Sequence, residues 1–186
     1  MNNYEKSHYR YTQYFCEENI WHLARSLLEH NRGESNIQVM LITNKDKHFI
    51  IFNQLNHSNL EYTIWDYHVI LKAQINNKDY IFDFDSTLDF PSPLGEYMQK
   101  SFPGDAPVSD EFRAVVRVIP AADYVRCFYS DREHMRGVLD DELFPDTPII
   151  KPDDEKLRIP LSDYWDIVKP LHDSSRVYPI EHFLNP

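Results

Sequence analysis

Glycine is scarce. Four glycines in 186 residues leave no G-x-G-x-x-G or G-x-x-x-x-G-K-[ST] loop, so a backbone cradle for phosphates of either kind is excluded. Cysteine is scarcer still: Cys16 and Cys127 stand far apart and neither belongs to a C-x-x-C pair, which rules out a disulfide framework or a cysteine-rich zinc site. Nine histidines are present, but none falls in H-E-x-x-H or another metal-ligand spacing, and no metal is expected. Basic residues are outnumbered, 19 Lys and Arg against 30 Asp and Glu for a net charge of −11. A nucleic-acid backbone needs clustered cations, so no nucleic-acid partner is expected. No run approaches the ~18 apolar residues of a membrane span. Met1 to Arg10 is polar, without the apolar core of a secretory signal. A free thiol then points to a reducing compartment, and the expected location is the cytoplasm.

Aromatics are plentiful, 14% of residues within a hydrophobic content of 42%, and the length suits one domain, 1–186, with a substantial core. Residues 1–10 read as an extended, tyrosine-containing arm. From Ile20 the apolar residues Ile20, Leu23, Ala24, Leu27 and Leu28 form the stripe of an amphipathic helix over about Cys16–His30, with Asn31-Arg32-Gly33 as its stop. Ile37–Thr43 and His48–Phe52, separated by the polar turn at 44–47, read as a hairpin. Asn53 to Asn59 reads as a loop. Glu61–Ala73 reads as one long strand, Asn76–Asp79 as a turn, and Tyr80–Asp85 as the returning strand. Period-2 alternation then puts Asp66 with His68, Asp83 with Asp85, and Trp65 and Tyr67 on the opposite face.

Phe90 to Pro107 is proline-rich around a short helical segment at 97–100, and Phe112–Ile119 reads as a strand. Ala121–Phe128 reads as a helix, continued through 130–135. Residues 140–160 read as an acidic surface loop, and 162–167 as a short helix capped by Ser162. One leading helix followed by strands that return on themselves is an α+β pattern, the helix packed on an antiparallel sheet.

Cys16 opens that helix, where unpaired backbone N–H groups and the helix dipole favour thiolate. Taken alone it reads more readily as a buried structural thiol than as a reactive one. His68 in the long strand and Asp83 in its hairpin partner supply what a nucleophile needs: a base within reach, and a carboxylate that fixes the base's tautomer and stabilises its cation. Cys127 lies among apolar residues and reads as packing. Asp131-Arg132-Glu133-His134 reads as a solvated, ion-paired face, with a wall of the site as the alternative.

The strings FCEENIW (15–21), IWDYHVIL (64–71), YIFDFDSTLDFP (80–91), FRAVVRVIPAADY (112–124), FYSDREHM (128–135) and, more loosely, VYPIEHFL (177–184) resemble the protein N-terminal glutamine amidohydrolase family, in that family's order. The resemblance implies a papain-like or transglutaminase-like fold and a catalytic triad of Cys16, His68 and Asp83. It also implies a cofactor-free monomer that deamidates N-terminal Gln of proteins and peptides to Glu, through a thioester, as a step of an N-degron pathway. The stretch between Met135 and Leu161 carries little of it.

Such an enzyme must tell a terminal Gln from an internal one, and a partly buried carboxylate pairing with the free α-ammonium is the natural device. Asp66, Asp85, Glu17 and Glu18 are the candidates for that substrate-binding role, the first two because they share strand faces with His68 and Asp83. A cysteine protease or a general glutamine deamidase or transglutaminase using the same triad is the rival reading, and a non-catalytic binder of N-terminal Gln another.

Overall fold

A computed structural model describes residues 4–30, 33–55, 61–104 and 108–184. In chain order its elements are α1 (Cys16–His30), β1 (Glu34–Thr43), β2 (Phe49–Phe52), β3 (Tyr62–Trp65), β4 (Tyr67–Ile75), β5 (Lys78–Phe82), β6 (Ser92–Pro93), α2 (Leu94–Ser101), β7 (Val115–Pro120), α3 (Ala121–Cys127), β8 (Phe128–Tyr129), β9 (Ile159–Pro160), α4 (Leu161–Tyr164) and β10 (Arg176–Pro179). Six strands form the main sheet in the order β10-β7-β1-β4-β5-β6, every neighbour antiparallel. The mixed α/β architecture and antiparallel sheet agree with the sequence.

Alternation along β1 decides what each face covers. Val39 and Leu41, with Val69, Leu71 and Ala73 of β4, pack against Ile20, Leu23, Ala24 and Leu27 of α1 and Tyr124 and Cys127 of α3. Met40, Ile42 and Ile70 face the other way, onto Leu94, Tyr97, Met98 and Phe102 at α2 and Phe49 and Ile51 of β2. The sheet is thus filled on both sides, with α1 and α3 over one face and α2 over the other. Cys127 is core, as its neighbours in the sequence suggest. Leu28 is not: it is exposed at the edge of the α1 stripe.

Several expected pairings are different. β1 does not form a hairpin with β2; it pairs with β4 and β7, while β2 pairs with β3. The apolar run Val39–Ile42 is buried throughout, which is the signature of a central strand covered on both faces rather than of a hairpin arm with one wet face. The long strand at 61–73 breaks at Asp66, whose carboxylate accepts the Tyr67 N–H at 2.8 Å while its carbonyl takes the Thr43 hydroxyl at 2.7 Å. The break hands the chain from the small β2–β3 sheet to the main one. The returning strand ends at Phe82, and the strand expected from Phe112 begins at Val115, after a 3-10 turn at 110–112.

The helix expected to run on to 135 stops at Cys127. Arg132 takes a left-handed conformation (φ 62°), and 133–135 is a 3-10 turn. Ser162 caps nothing, because Pro160 precedes a single helical turn that begins at Leu161. The 140–160 loop is largely at the surface, yet Ile150 and Ile159 are buried. The N-terminal arm is not wholly extended: Lys6–His8 forms a 3-10 turn and Tyr4 is buried. The expected helix stop at 31–32, part of the 53–59 loop, Ala106-Pro107 and the first three residues lie outside the described residues.

Candidate active site

β5 leaves the sheet early. Its pairing with β4 runs only as far as Leu71↔Phe82, so among the described residues the stretch Tyr67–Ile70 of β4 has no strand partner on that side, which leaves a notch in the sheet. The start of α1 fills one side of the notch. Phe15 accepts the first helical hydrogen bond, from Asn19 N–H at 2.9 Å. Tyr14 before it sits at φ 72°, a strained conformation for a residue with a side chain. Asn19 clamps the entering chain by exchanging two hydrogen bonds of 2.8 Å with the backbone of Thr12. Cys16 is thereby fixed as the first helical residue, partly exposed, with the backbone of Val69 hydrogen-bonding its sulfur.

His68, the residue before Val69, is buried. Its Nε2 lies 2.9 Å from Asp83 Oδ1. Its Nδ1 is buried without a hydrogen-bond partner among the described residues. Asp83 follows directly on the end of β5, and both carboxylate oxygens are fully engaged: Oδ1 also accepts the Asp85 N–H at 2.9 Å, and Oδ2 takes the Tyr97 hydroxyl at 2.8 Å and Gln54 Nε2 at 3.2 Å. Burial works against that carboxylate, but the facing His68 cation and these donors outweigh it and hold its pKa down to about 2. For His68 burial disfavours the cation, and Asp83, Asp85 and Glu17 overcome it, so its pKa rises.

Burial pushes the Cys16 thiol well above its usual value, helped by Glu17, Asp85 and Asp83, with the Val69 backbone hydrogen bond opposing. The helix start does not leave a free thiolate here. Burial, with the neighbouring carboxyl groups adding to it, opposes the partial charge of the helix terminus.

The other candidate carboxylates separate cleanly. Glu17 is fully buried. Its Oε2 receives the Tyr67 hydroxyl at 3.0 Å and the Cys16 thiol at 3.7 Å. Burial lifts its pKa to about 8, against its own backbone N–H and with neighbouring Glu18 adding to the rise. Glu18 is clamped by Arg132, Nε to Oε1 at 2.7 Å and Nη2 to Oε2 at 2.8 Å, and also takes the Ser130 hydroxyl. Asp85 is buried, with the Tyr11 hydroxyl at 2.7 Å from Oδ1. Asp66 is exposed at the strand break and is not brought into the buried cluster. Ligand atoms of His68, Asp83 and Asp85 lie within 4.8 Å of one another, a spacing open to a cation in principle, but the hydrogen bonds above already engage His68 Nε2 and both oxygens of Asp83.

Residues that the sequence reading passed over complete the site. Because of the break at Asp66, Trp65 is not on the far face but stacks on the His68 ring, 5.8 Å between centroids and 12° between planes. Tyr67 stays on the face of Val69, toward α1, and its hydroxyl reaches Glu17 there. His134 Nε2 stands 3.0 Å from that hydroxyl and 3.5 Å from Glu17 Oε1, so 131–134 is a wall of the site anchored by Arg132, not a solvated face. Its presence in the FYSDREHM string was the signal available. Nothing in the sequence marks Gln54 or Tyr97 as partners of Asp83.

The fold and site together define a mixed α/β protein with an antiparallel main sheet, in which a thiol at a helix start lies against the strand that carries a hydrogen-bonded imidazole–carboxylate pair. The chain belongs to the N-terminal glutamine amidase family, whose sequence pattern matches residues 11–184. It is 33% identical over 153 residues to a Bos taurus protein named protein N-terminal glutamine amidohydrolase, covering 80% of this chain and 74% of that protein. Proteins of the same name from Homo sapiens (32% over 153 residues; 80% and 75% covered) and Arabidopsis thaliana (31% over 139; 71% and 63%) are also similar. Among the described residues no helix is long and apolar enough to cross a membrane.

Proposed function

We propose that this chain hydrolyses the side-chain amide of an N-terminal glutamine, giving N-terminal glutamate and ammonia. The observation that carries this is the convergence at the β4 notch of Cys16, held against Val69, and the His68–Asp83 pair, in a chain whose relatives are named for that reaction. We read the fold as papain-like or transglutaminase-like: a helix start presents sulfur to the strand that carries the base, and the end of the next strand carries the orienter.

His68 takes the proton from the Cys16 thiol, and sulfur attacks the δ-carbon of Gln. The backbone N–H of Cys16 at the start of α1 is the donor for the oxyanion. The tetrahedral species collapses as His68 returns the proton to the leaving nitrogen, so that ammonia departs and a γ-glutamyl thioester remains. Water then attacks the thioester carbonyl, giving its proton to His68, and the carbon–sulfur bond breaks to leave Glu and the thiol. Asp83 keeps Nε2 of His68 as its partner, so the unpartnered Nδ1 handles the protons. No cofactor enters these steps. We assign the whole domain, 1–186, to this activity as a monomer in the cytoplasm, serving an N-degron step, with neither nucleic acid nor membrane as partner.

The test is ammonia release from peptides that differ only in the first residue, with mass spectrometry of the products. A gain of about one dalton confined to Gln-initiated peptides is expected; cleavage, cross-linking or equal reaction of an internal Gln would overturn the reading.

A further inference from the structure

The site's carboxylates differ in what neutralises them. Glu18 has Arg132 on both oxygens. Asp83 has His68 and three further donors. Asp85 has the Tyr11 hydroxyl, and the Lys6 ammonium sits on the carbonyls of Phe84 and Ser86, either side of it, at 3.1 and 2.7 Å. Asp66 is open to water. Glu17 has no cation of its own. It is 0% exposed, and its Oε1 is buried without a hydrogen bond among the described residues. The groups that face it are Cys16 and Glu18 on its own helix, Tyr67 on β4, Tyr124 of α3, whose hydroxyl bonds its backbone carbonyl, and His134. His134 is the one base among them, and burial lowers its pKa despite Asp66, Asp131 and Glu18, so it faces Glu17 neutral. A buried carboxylate without a cation is costly, and here it stands 3.7 Å from the nucleophilic sulfur.

We propose that Glu17 is the residue that reads the free α-ammonium of the substrate, with His134 as the neutral group beside it. This rests on the N-terminal glutamine reading above. The missing cation is one the substrate carries: in glutamine the α-nitrogen and the δ-carbon are four bonds apart, roughly 5 Å at bond lengths near 1.5 Å, so a carboxylate adjoining the sulfur is within range of the amine. The surroundings suit an ammonium. Tyr67, His134, Trp165 and Phe15 form a connected set of rings, with centroid separations of 6.0 Å (Tyr67–His134), 5.2 Å (Tyr67–Trp165), 6.3 Å (His134–Trp165) and 6.5 Å (Phe15–His134), whose π faces attract cations. Arriving there, the amine ionises a carboxyl otherwise held at about 8, so binding at neutral pH expels a proton.

Two measurements test the assignment. The first compares kcat/KM for a Gln-initiated peptide and its N-acetylated form in wild type, Glu17→Gln and Asp85→Asn. Wild type should prefer the free amine by at least 100-fold. Glu17→Gln should shrink that preference at least tenfold, mostly through KM on the free peptide, whereas Asp85→Asn should keep it. A Glu17→Gln enzyme with the wild-type preference, or an Asp85→Asn enzyme that alone loses it, overturns the proposal.

The second measurement needs neither turnover nor a folded Glu17 variant. Calorimetric titration of Cys16→Ala with the Gln peptide at pH 7, in buffers of different ionisation enthalpy, should show release of close to one proton per peptide bound; no release overturns the assignment. Absence of ammonia from every Gln peptide with wild type would instead count against the function itself, and the titration would still judge Glu17.

Discussion

Arg132 and Glu18, 114 positions apart, share two parallel hydrogen bonds of 2.7 and 2.8 Å between guanidinium and carboxylate, both side chains buried. The same guanidinium donates to the carbonyls of Pro145 and Thr147 at 3.0 and 2.8 Å. One side chain thus ties the start of α1, the turn that carries His134 and the 145–148 loop together. A bidentate arginine fork suits such a junction because its geometry is fixed in a plane.

Removing one partner should therefore cost more than removing both. Arg132→Met leaves Glu18 buried and uncompensated, with an expected loss of about 3–5 kcal/mol in urea or thermal unfolding. Combining it with Glu18→Leu should recover most of that stability. Activity should not return with it, since the turn that holds His134 at Glu17 stays untethered. A double variant with wild-type turnover would show that the tether is structural only.

Asp83 offers a test in rate and in acid stability. Its pKa is held near 2 against an ordinary 3.8, so it stabilises the fold by about 2 kcal/mol at pH values above 3.8. That contribution is lost as pH falls through the interval from 3.8 to 2. Asp83→Asn should flatten the acid limb of a stability–pH curve over that interval. It should also lower kcat by about 10³–10⁴, the scale on which an orienting carboxylate acts. Near-normal kinetics in this variant would transfer the orienting role to Asp85.

How much of this was legible beforehand depends on whether a feature was local. The start of α1 could be read because Glu17, Glu18 and the Ile20–Leu27 stripe all follow one helical period. His68 and Asp83 could be placed together because the Asn76-Asn77 turn makes their strands neighbours; both asparagines take positive φ there, 50° and 61°. The break at Asp66 could not be read. It depends on Thr43 reaching across from β1, and an alternating pattern continues through it. Missing the break reversed the side assigned to Trp65, while Tyr67 keeps the expected face with Val69, toward α1. The shift of the Cys16 thiol likewise depends on burial and on Asp83 and Asp85 beyond the end of β5, which a reading of the helix alone does not include. Arg132 and His134 looked like surface residues because charge along a sequence does not tell which side chains turn inward after a left-handed residue.

The carboxyl of Glu17 should leave its own mark on stability. With a folded pKa of about 8 against 4.5 ordinarily, the folded protein holds a proton that the unfolded chain has released at any pH between those values. Stability should then fall as pH rises through that window, by about 1.4 kcal/mol per pH unit per proton. His68, whose pKa is also raised, adds a decline of the same sign above 6.5. Glu17→Gln cannot ionise, so its stability at pH 9 should exceed that of wild type while the two converge near pH 4. Parallel curves for the two proteins across the whole range would mean that Glu17 ionises normally.

Thiol chemistry separates the two cysteines. Cys127 is fully buried in the core beneath α1, and Cys16 is partly exposed, so iodoacetamide under native conditions should label Cys16 alone, as peptide mapping would show. Because burial and the carboxylates of Glu17, Asp85 and Asp83 keep the proton on sulfur, alkylation at pH 7 should be slower than for a free thiol and should climb steeply at alkaline pH. Asp85→Asn removes one of those charges without altering the sulfur itself, and should shift the alkylation profile to lower pH. If Asp85→Asn leaves the profile in place, the charge that sets the thiol lies elsewhere; if wild-type Cys16 reacts rapidly at pH 6, the sulfur rests as thiolate and His68 begins the cycle as a cation.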